Sequence, residues 1–136
     1  MSKQKCRVLV CGDRHWKDHT HLEEVLDTYN DLYKFTAVIH GCAPGADTMA
    51  GNWAEFWELD VCPYPADWSK YGKSAGPIRN QQMLKEGKPD IVIAFHDHLR
   101  SSKGTKDMAR RALKAGIPVF LCGHKLDKRL KLEDVT

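Results

Sequence analysis

Several things are missing from this chain of 136 residues, and each absence excludes a class. No apolar run approaches the roughly 18 residues of a membrane span, so no membrane role is expected. The basic start, Met-Ser-Lys-Gln-Lys-Cys-Arg, enters only Val8-Leu9-Val10. That is too short for a signal-peptide core and carries no small-residue cleavage site, which predicts a cytoplasmic protein. There is no C-x-x-C pair among the five cysteines, Cys6, Cys11, Cys42, Cys62 and Cys122. An odd count without such pairs reads as free, mostly buried thiols and argues against a structural zinc site. Neither G-x-G-x-x-G nor a Walker loop is present, so the two commonest nucleotide fingerprints are excluded. Repeats, low-complexity tracts and interdomain linkers are also missing.

What is present is an ordinary globular composition, 42% hydrophobic and 29% charged, in a length that fits one domain. Net charge is +3 but uneven: residues 1–99 hold 11 Lys/Arg against 14 Asp/Glu, and residues 100–136 hold 10 against 4. A solvated basic face explains this asymmetry, and the overall balance argues against a dedicated nucleic-acid binder.

Short apolar runs alternate with helical patterns. Arg7-Val8-Leu9-Val10-Cys11, Ala37-Val38-Ile39-His40, Ile91-Val92-Ile93-Ala94-Phe95 and Ile117-Pro118-Val119-Phe120-Leu121 read as buried strands. Val61-Cys62-Pro63-Tyr64 reads as an edge strand because of its proline. Thr20 to Glu23 is a capping-box pattern opening a first helix, Pro77 is expected at the first position of a third, and Gly116 ends the last. Trp53, Phe56 and Trp57 offer a homo-oligomer contact, but their helical spacing predicts core packing. The expectation is an α/β fold: a single Rossmann-like, doubly wound, mainly parallel five-stranded sheet over residues 1–122, with a charged tail over 123–136.

In such a sheet every strand-to-helix loop opens at one edge, where ligands bind. The first loop, Gly12 to His19, is longer than the usual run of about two to six residues. Gly12 allows close backbone approach, Asp13 beside it is a further ligand candidate, Arg14 reaches for a phosphate, and Trp16 packs. The second, Gly41-Cys42-Ala43-Pro44-Gly45-Ala46-Asp47, runs directly into a helix, so its amides face an anion at the positive helix end. Asp47 suits capping there, or a ribose hydroxyl. Arg79, with Asn80, lies in the first turn after Pro77, where a cation opposes the helix dipole. An anionic ligand offsets that cost, with Asp67 as the internal alternative, and Arg79 is the leading ligand contact. Gly104-Thr105 at the last helix start presents amides and a hydroxyl. His96-Asp97-His98 has the alternation of a metal pair but no third ligand, so no metal is expected.

Taken together, these segments resemble the SLOG superfamily, named for SMF/DNA-processing proteins and Lonely Guy enzymes, and within it the YspA-like, cpYpsA-related branch. The similarity covers residues 6–121 through Val8-Leu9-Val10-Cys11-Gly12-Asp13-Arg14-His15-Trp16, His40-Gly41-Cys42-Ala43-Pro44-Gly45-Ala46-Asp47, Asp67-Trp68 with Tyr71-Gly72-Lys73, Gly76-Pro77-Ile78-Arg79-Asn80, and Gly104-Thr105 with Asp107-Met108. The resemblance implies a Rossmann-like sheet and a nucleotide or ADP-ribose-like ligand over the glycine loops, in the host cytoplasm if the chain is phage-encoded. No cofactor is expected. Lonely Guy enzymes are phosphoribohydrolases, and Arg79 matches an Arg they carry early in a helix. Their Pro-Gly-Gly-x-Gly-Thr-x-x-Glu motif matches at Gly104 and Thr105, but its Glu falls on Met108, and Asp107 points about 100° away on a helix. Methionine cannot handle a proton or stabilise an oxocarbenium-like centre.

Three functions follow in order. The first is a binding module that senses, carries or sequesters a nucleotide. The second is a hydrolase of an N-glycosidic or phosphate bond, with Arg79 on phosphate and Asp47, Asp97 or Asp107 as carboxylate. The third, a nucleic-acid binder by analogy with the DNA-processing members, rests locally on the basic C-terminal third alone.

Overall fold

A computed structural model describes residues 6–136; the basic stretch ahead of Cys6 lies outside them. Six strands form one sheet in the order β3-β2-β1-β4-β5-β6, with β1 Cys6–Gly12, β2 Phe35–His40, β3 Asp60–Pro63, β4 Ile91–Phe95, β5 Val119–Cys122 and β6 Asp127–Arg129. The first five are parallel and β6 is antiparallel. Residues 8–12 of β1 pair with 91–95 of β4 at the sheet's centre, and β4 is buried along its whole length.

Apolar residues on both faces of each central strand create two cores. Val8 and Val10 point to one face, which helix α1 (His19–Tyr33) covers with Leu22 and Leu26, and helix α2 (Ala46–Phe56) with Ala50 and Trp53. Leu9 and Cys11 point to the other, covered by Met83 and Leu84 of α4 (Ala75–Gly87) and by Met108 and Ala109 of α5 (Gly104–Lys114). A period-two strand with helices on both sides is the doubly wound arrangement. A four-residue helix, α3 (Trp68–Tyr71), and a 3-10 turn at Gly72–Ser74 lead into α4. Among the described residues no helix is long and apolar enough to cross a membrane.

Four details depart from expectation. The sheet has a sixth strand: β6 pairs along β5, Leu130 donates its amide to Val119 O at 2.8 Å, and Leu130 and Val135 are buried in the second core. The charged tail hid this strand, because β6 is an exposed edge held by backbone pairing and only the two apolar residues beyond it enter the interior. Helix α1 starts one residue before the capping box, with Asp18 accepting from the His21 amide at 3.0 Å. Pro77 is the third helical residue rather than the first; its missing N–H is still one of the donors a helix start leaves unpaired. Finally, Phe56 and Trp57 are exposed, whereas Trp53 is buried and donates its indole N–H to Asp27. α2 stops at Phe56 and Glu58 turns left-handed (φ 58°), so the chain leaves the core face there.

Candidate functional site

The helix after β1 covers one face and the helix after β4 the other, so the loops at the carboxyl ends of these neighbouring strands diverge. That opening is where ligands bind in sheets of this kind. Asp13 ties its walls together through the backbone. Its amide donates to Phe95 O at 2.8 Å, while its carbonyl accepts from Trp16 N at 3.1 Å and Ala46 N at 3.3 Å. Its carboxylate accepts from His15 N at 2.8 Å. Gly12 and Gly45 make this closeness possible. A Cβ on Gly12 would collide with the Phe95 carbonyl, and one on Gly45 would meet Asp13 O at 2.5 Å and Arg14 O at 2.6 Å. Gly45 also has φ +78°, a left-handed conformation that glycine adopts freely.

Asp47 organises the second loop. Its carboxylate Oδ2 accepts from Gly41 N at 3.0 Å and Ala43 N at 3.3 Å, Cys42 N donates to His40 Nδ1 at 3.0 Å, and Thr48 Oγ1 donates to Ala43 O. The amides of Gly41, Cys42, Ala43 and Ala46 therefore already have partners within the protein, and Asp47 acts on the loop ahead of its helix. Its Oδ1, by contrast, carries no hydrogen bond among the described residues. Burial raises the Asp47 carboxyl to about 6, against the pull of the two amides and the Arg79 guanidinium.

Arg79 reaches across from α4. Its Nε donates to Asn80 Oδ1 at 3.0 Å, and Nη1 donates to the Gly41 carbonyl. A Cβ on Gly41 would overlap the guanidinium. Half-buried and pinned at two points, Arg79 keeps three of its five N–H groups without an acceptor among the described residues. Asp67 is not its partner: that carboxylate caps α3 through Lys70 N and Ser69 Oγ. Asn80 is buried and donates to Asp107 Oδ2 at 3.0 Å, and Asp107 also pairs with Arg111 at 2.9 Å and Arg110 at 3.3 Å.

Of the remaining candidates, Gly104 stays linked to this group, its carbonyl accepting from Asn80 Nδ2 at 3.4 Å. Arg14 is exposed and makes no side-chain hydrogen bond or ion pair among the described residues. Gly104 is exposed at the α5 start, where Thr105 is buried and donates its amide to Ser102 Oγ at 3.0 Å. Asp97 belongs to a second cluster that sequence reasoning missed. It accepts from His124 Nδ1 and from the His124 amide, both at 2.6 Å, while His124 Nε2 meets Asp18 at 2.9 Å. The His124 ring stacks on Trp16, with centroids 4.6 Å apart and planes 6° from parallel. Hydrogen bonds that the protonated His124 ring donates to Asp97 and Asp18 raise its pKa. Nothing local in the sequence marked His124, since its partners lie 27 and 106 residues away. His96 accepts from the His98 amide rather than facing His98 as a second ligand, and among the described residues no group of three or more His, Cys, Asp or Glu is placed to hold a metal.

A groove of about 420 Å³ runs along α4 and α5, lined by Gln81, Asp107, Arg110, Arg111, Lys114 and Ala115. Its wall is made largely of partly exposed cations, of which Arg110 and Arg111 pair with Asp107. The rim has the buried, pinned groups.

Residues 6–71 match the YspA, cpYpsA-related SLOG family. The Gene 61 protein of Mycobacterium phage D29 is 41% identical over 128 residues, 88% of this chain and 98% of that protein. Among solved structures, DNA processing protein A from Streptococcus pneumoniae is similar with a TM-score of 0.64 at 17% identity, over 85% of this chain and 50% of that one. UDP-GlcNAc 2-epimerase from Neisseria meningitidis, bound to UDP-GlcNAc, gives 0.53 at 15% identity, over 86% of this chain and 31% of that one. At such identities the structural likeness concerns the fold alone. The chain spans half or less of both structures' length.

Proposed function

Because this chain belongs to the YspA, cpYpsA-related SLOG family, we propose that it binds a nucleotide or nucleotide-derived phosphate ligand, such as an ADP-ribose-like molecule, at the carboxyl rim of its sheet. One observation carries this reading: Arg79 is fixed by the Gly41 carbonyl and Asn80 with three N–H groups to spare. A guanidinium held in one orientation loses little freedom on binding an oxyanion and matches it in a forked geometry. The first-turn amides of Asp47 and Thr48, which have no acceptor among the described residues, add donors at the positive end of α2. Exposed Arg14 adds a second cation, and Asp47 Oδ1 is an acceptor for a ribose hydroxyl. The glycine loop does not supply the main anion donors, because its amides are taken up within the protein. Its amides hold the loop in shape, and the guanidinium replaces them as the main anion donor. Thermal melting with millimolar AMP, ADP and ADP-ribose tests this: at least one raises Tm and is recovered intact, and Arg79→Ala removes the shift. No shift with any of them refutes the proposal.

A hydrolase is the second reading, favoured by the Asp47 carboxyl near 6, a value suited to proton transfer near neutral pH. Asp97 and Asp107 are weaker candidates, because each is committed to charged partners. Free base or phosphate released by the wild type and not by Asp47→Asn supports hydrolysis; an intact substrate panel after long incubation rules it out.

A further inference from the structure

Beside Arg79 stands a feature the phosphate site does not use. α3 and the turn after it carry two large exposed aromatics, Trp68 at 60% and Tyr71 at 41% relative exposure. This segment follows the carboxyl end of β3 and leads into the first turn of α4, so it lies at the same edge of the sheet as the rim. Buried Gly76 fixes where Trp68 rests: a Cβ there would lie 3.5 Å from the tip of the indole, Cη2. Gly76 and Arg79 are three apart on α4 and share a face, so the indole lies one helical turn from the root of the Arg79 side chain. Cations surround the ledge. Lys70 Nζ stands 5.1 Å from the Tyr71 ring centroid, and exposed Lys73 follows. The carboxylate that caps α3, Asp67, is occupied by Ser69 and the Lys70 amide.

We infer that Trp68, flanked by Tyr71, is the stacking platform for the base of the nucleotide whose phosphate Arg79 holds. This rests on the phosphate-site reading and narrows its ligand to molecules with an aromatic base, as opposed to sugar phosphates. The positive surroundings of this indole favour an anion that carries its own π face. Every base has such a face, so the platform sets the ligand class without choosing among bases.

Calorimetric titration of AMP and of ribose 5-phosphate into wild type, Trp68→Ala, Trp68→Phe and Arg79→Ala tests it. Trp68→Ala is expected to weaken AMP at least about fivefold while leaving ribose 5-phosphate within about twofold, and Trp68→Phe to retain most of the AMP affinity. AMP should also quench tryptophan emission in wild type and much less in Trp68→Phe. Trp68 is exposed, so the variants should keep the wild-type circular dichroism. If Arg79→Ala abolishes AMP binding but Trp68→Ala does not change it, or weakens both ligands equally, the stacking role is wrong and the phosphate site stands. Loss of a dimer on sedimentation of Trp68→Ala, with AMP affinity unchanged, would assign the ledge to a second copy instead. If neither AMP nor ribose 5-phosphate binds wild type, the phosphate site fails and the platform with it.

Discussion

The Arg79 guanidinium fills the space where residue 41 would place a Cβ, and it donates to that residue's carbonyl. Gly41 has no positive φ, so its lack of a side chain serves Arg79 and not the backbone. Gly41→Ala should therefore fold, because the obstructing group is the free end of a flexible side chain. The displaced guanidinium should cost at least about tenfold in nucleotide affinity, close to the effect of Arg79→Ala. Arg79→Lys should not restore binding, since an ammonium cannot donate to Gly41 and Asn80 and still fork onto an oxyanion. Calorimetry of the three variants checks this; wild-type affinity in Gly41→Ala contradicts it.

Gly45 predicts the opposite balance. There an alanine meets backbone, Asp13 O and Arg14 O, and must hold φ near +78°. Gly45→Ala should lose about 2 kcal/mol or more by urea unfolding, through left-handed strain plus displacement of the first loop. A loss under about 0.5 kcal/mol would mean that the two loops are not packed as described.

The Asp47 carboxyl, raised to about 6 by burial, makes stability fall with rising pH. A raised folded-state value means that the folded protein holds this proton more tightly than the unfolded chain. Its contribution is full below the unfolded value near 3.8 and is lost as pH climbs through about 6. Asp47→Asn keeps an oxygen for the amides of Gly41 and Ala43 and removes the charge. Relative to that variant, wild-type Tm should decline between about pH 4 and 6 and then run parallel. A constant difference across this range contradicts the assignment.

His124 has the reverse chemistry but the same sign. Asp97 and Asp18 raise its pKa, so its stabilising link between the first loop and the chain beyond β5 is complete below the ordinary histidine range and fades as pH rises through the raised value. His124→Ala should speed amide exchange across Arg14 to Asp18 at pH 6 much more than at pH 9. Equal protection in wild type and variant at pH 6 would show that the clip does not hold the loop.

Leu130 tests the C-terminal segment. It is 4% exposed, so Leu130→Ala should cost about 2–3 kcal/mol, as for other buried leucines. A neutral result would mean that the tail is a loose appendage.

How much the sequence revealed depended on whether a residue's role was local. Val8-Leu9-Val10 and Ile91 to Phe95 read as strands because both faces are buried and every position must be apolar. The loops after them followed from topology, so the placement of Gly12, Asp13, Gly41, Gly45, Asp47 and Arg79 near one edge was legible. Their partnerships were not. Arg79 finds Gly41 across 38 residues, where the sequence offered only Asp67 as an internal partner, and Asp47 turns back onto amides ahead of its own helix. β6 escaped notice because edge pairing uses backbone groups, which leave no pattern in the side chains. Trp57 kept helical spacing with Trp53 one residue past the point where the helix ended.

The central claim is best tested by following backbone amides and the Arg79 Nε–H by NMR while AMP or ADP-ribose is added. Binding at the rim predicts shifts gathered at Gly12 to Arg14, Gly41 to Thr48, Trp68 to Tyr71, Arg79 and Asn80, and Gly104 and Thr105, with Arg79 Nε–H moving most. Shifts gathered instead along Arg110, Arg111 and Lys114, or none at saturating ligand, would contradict it.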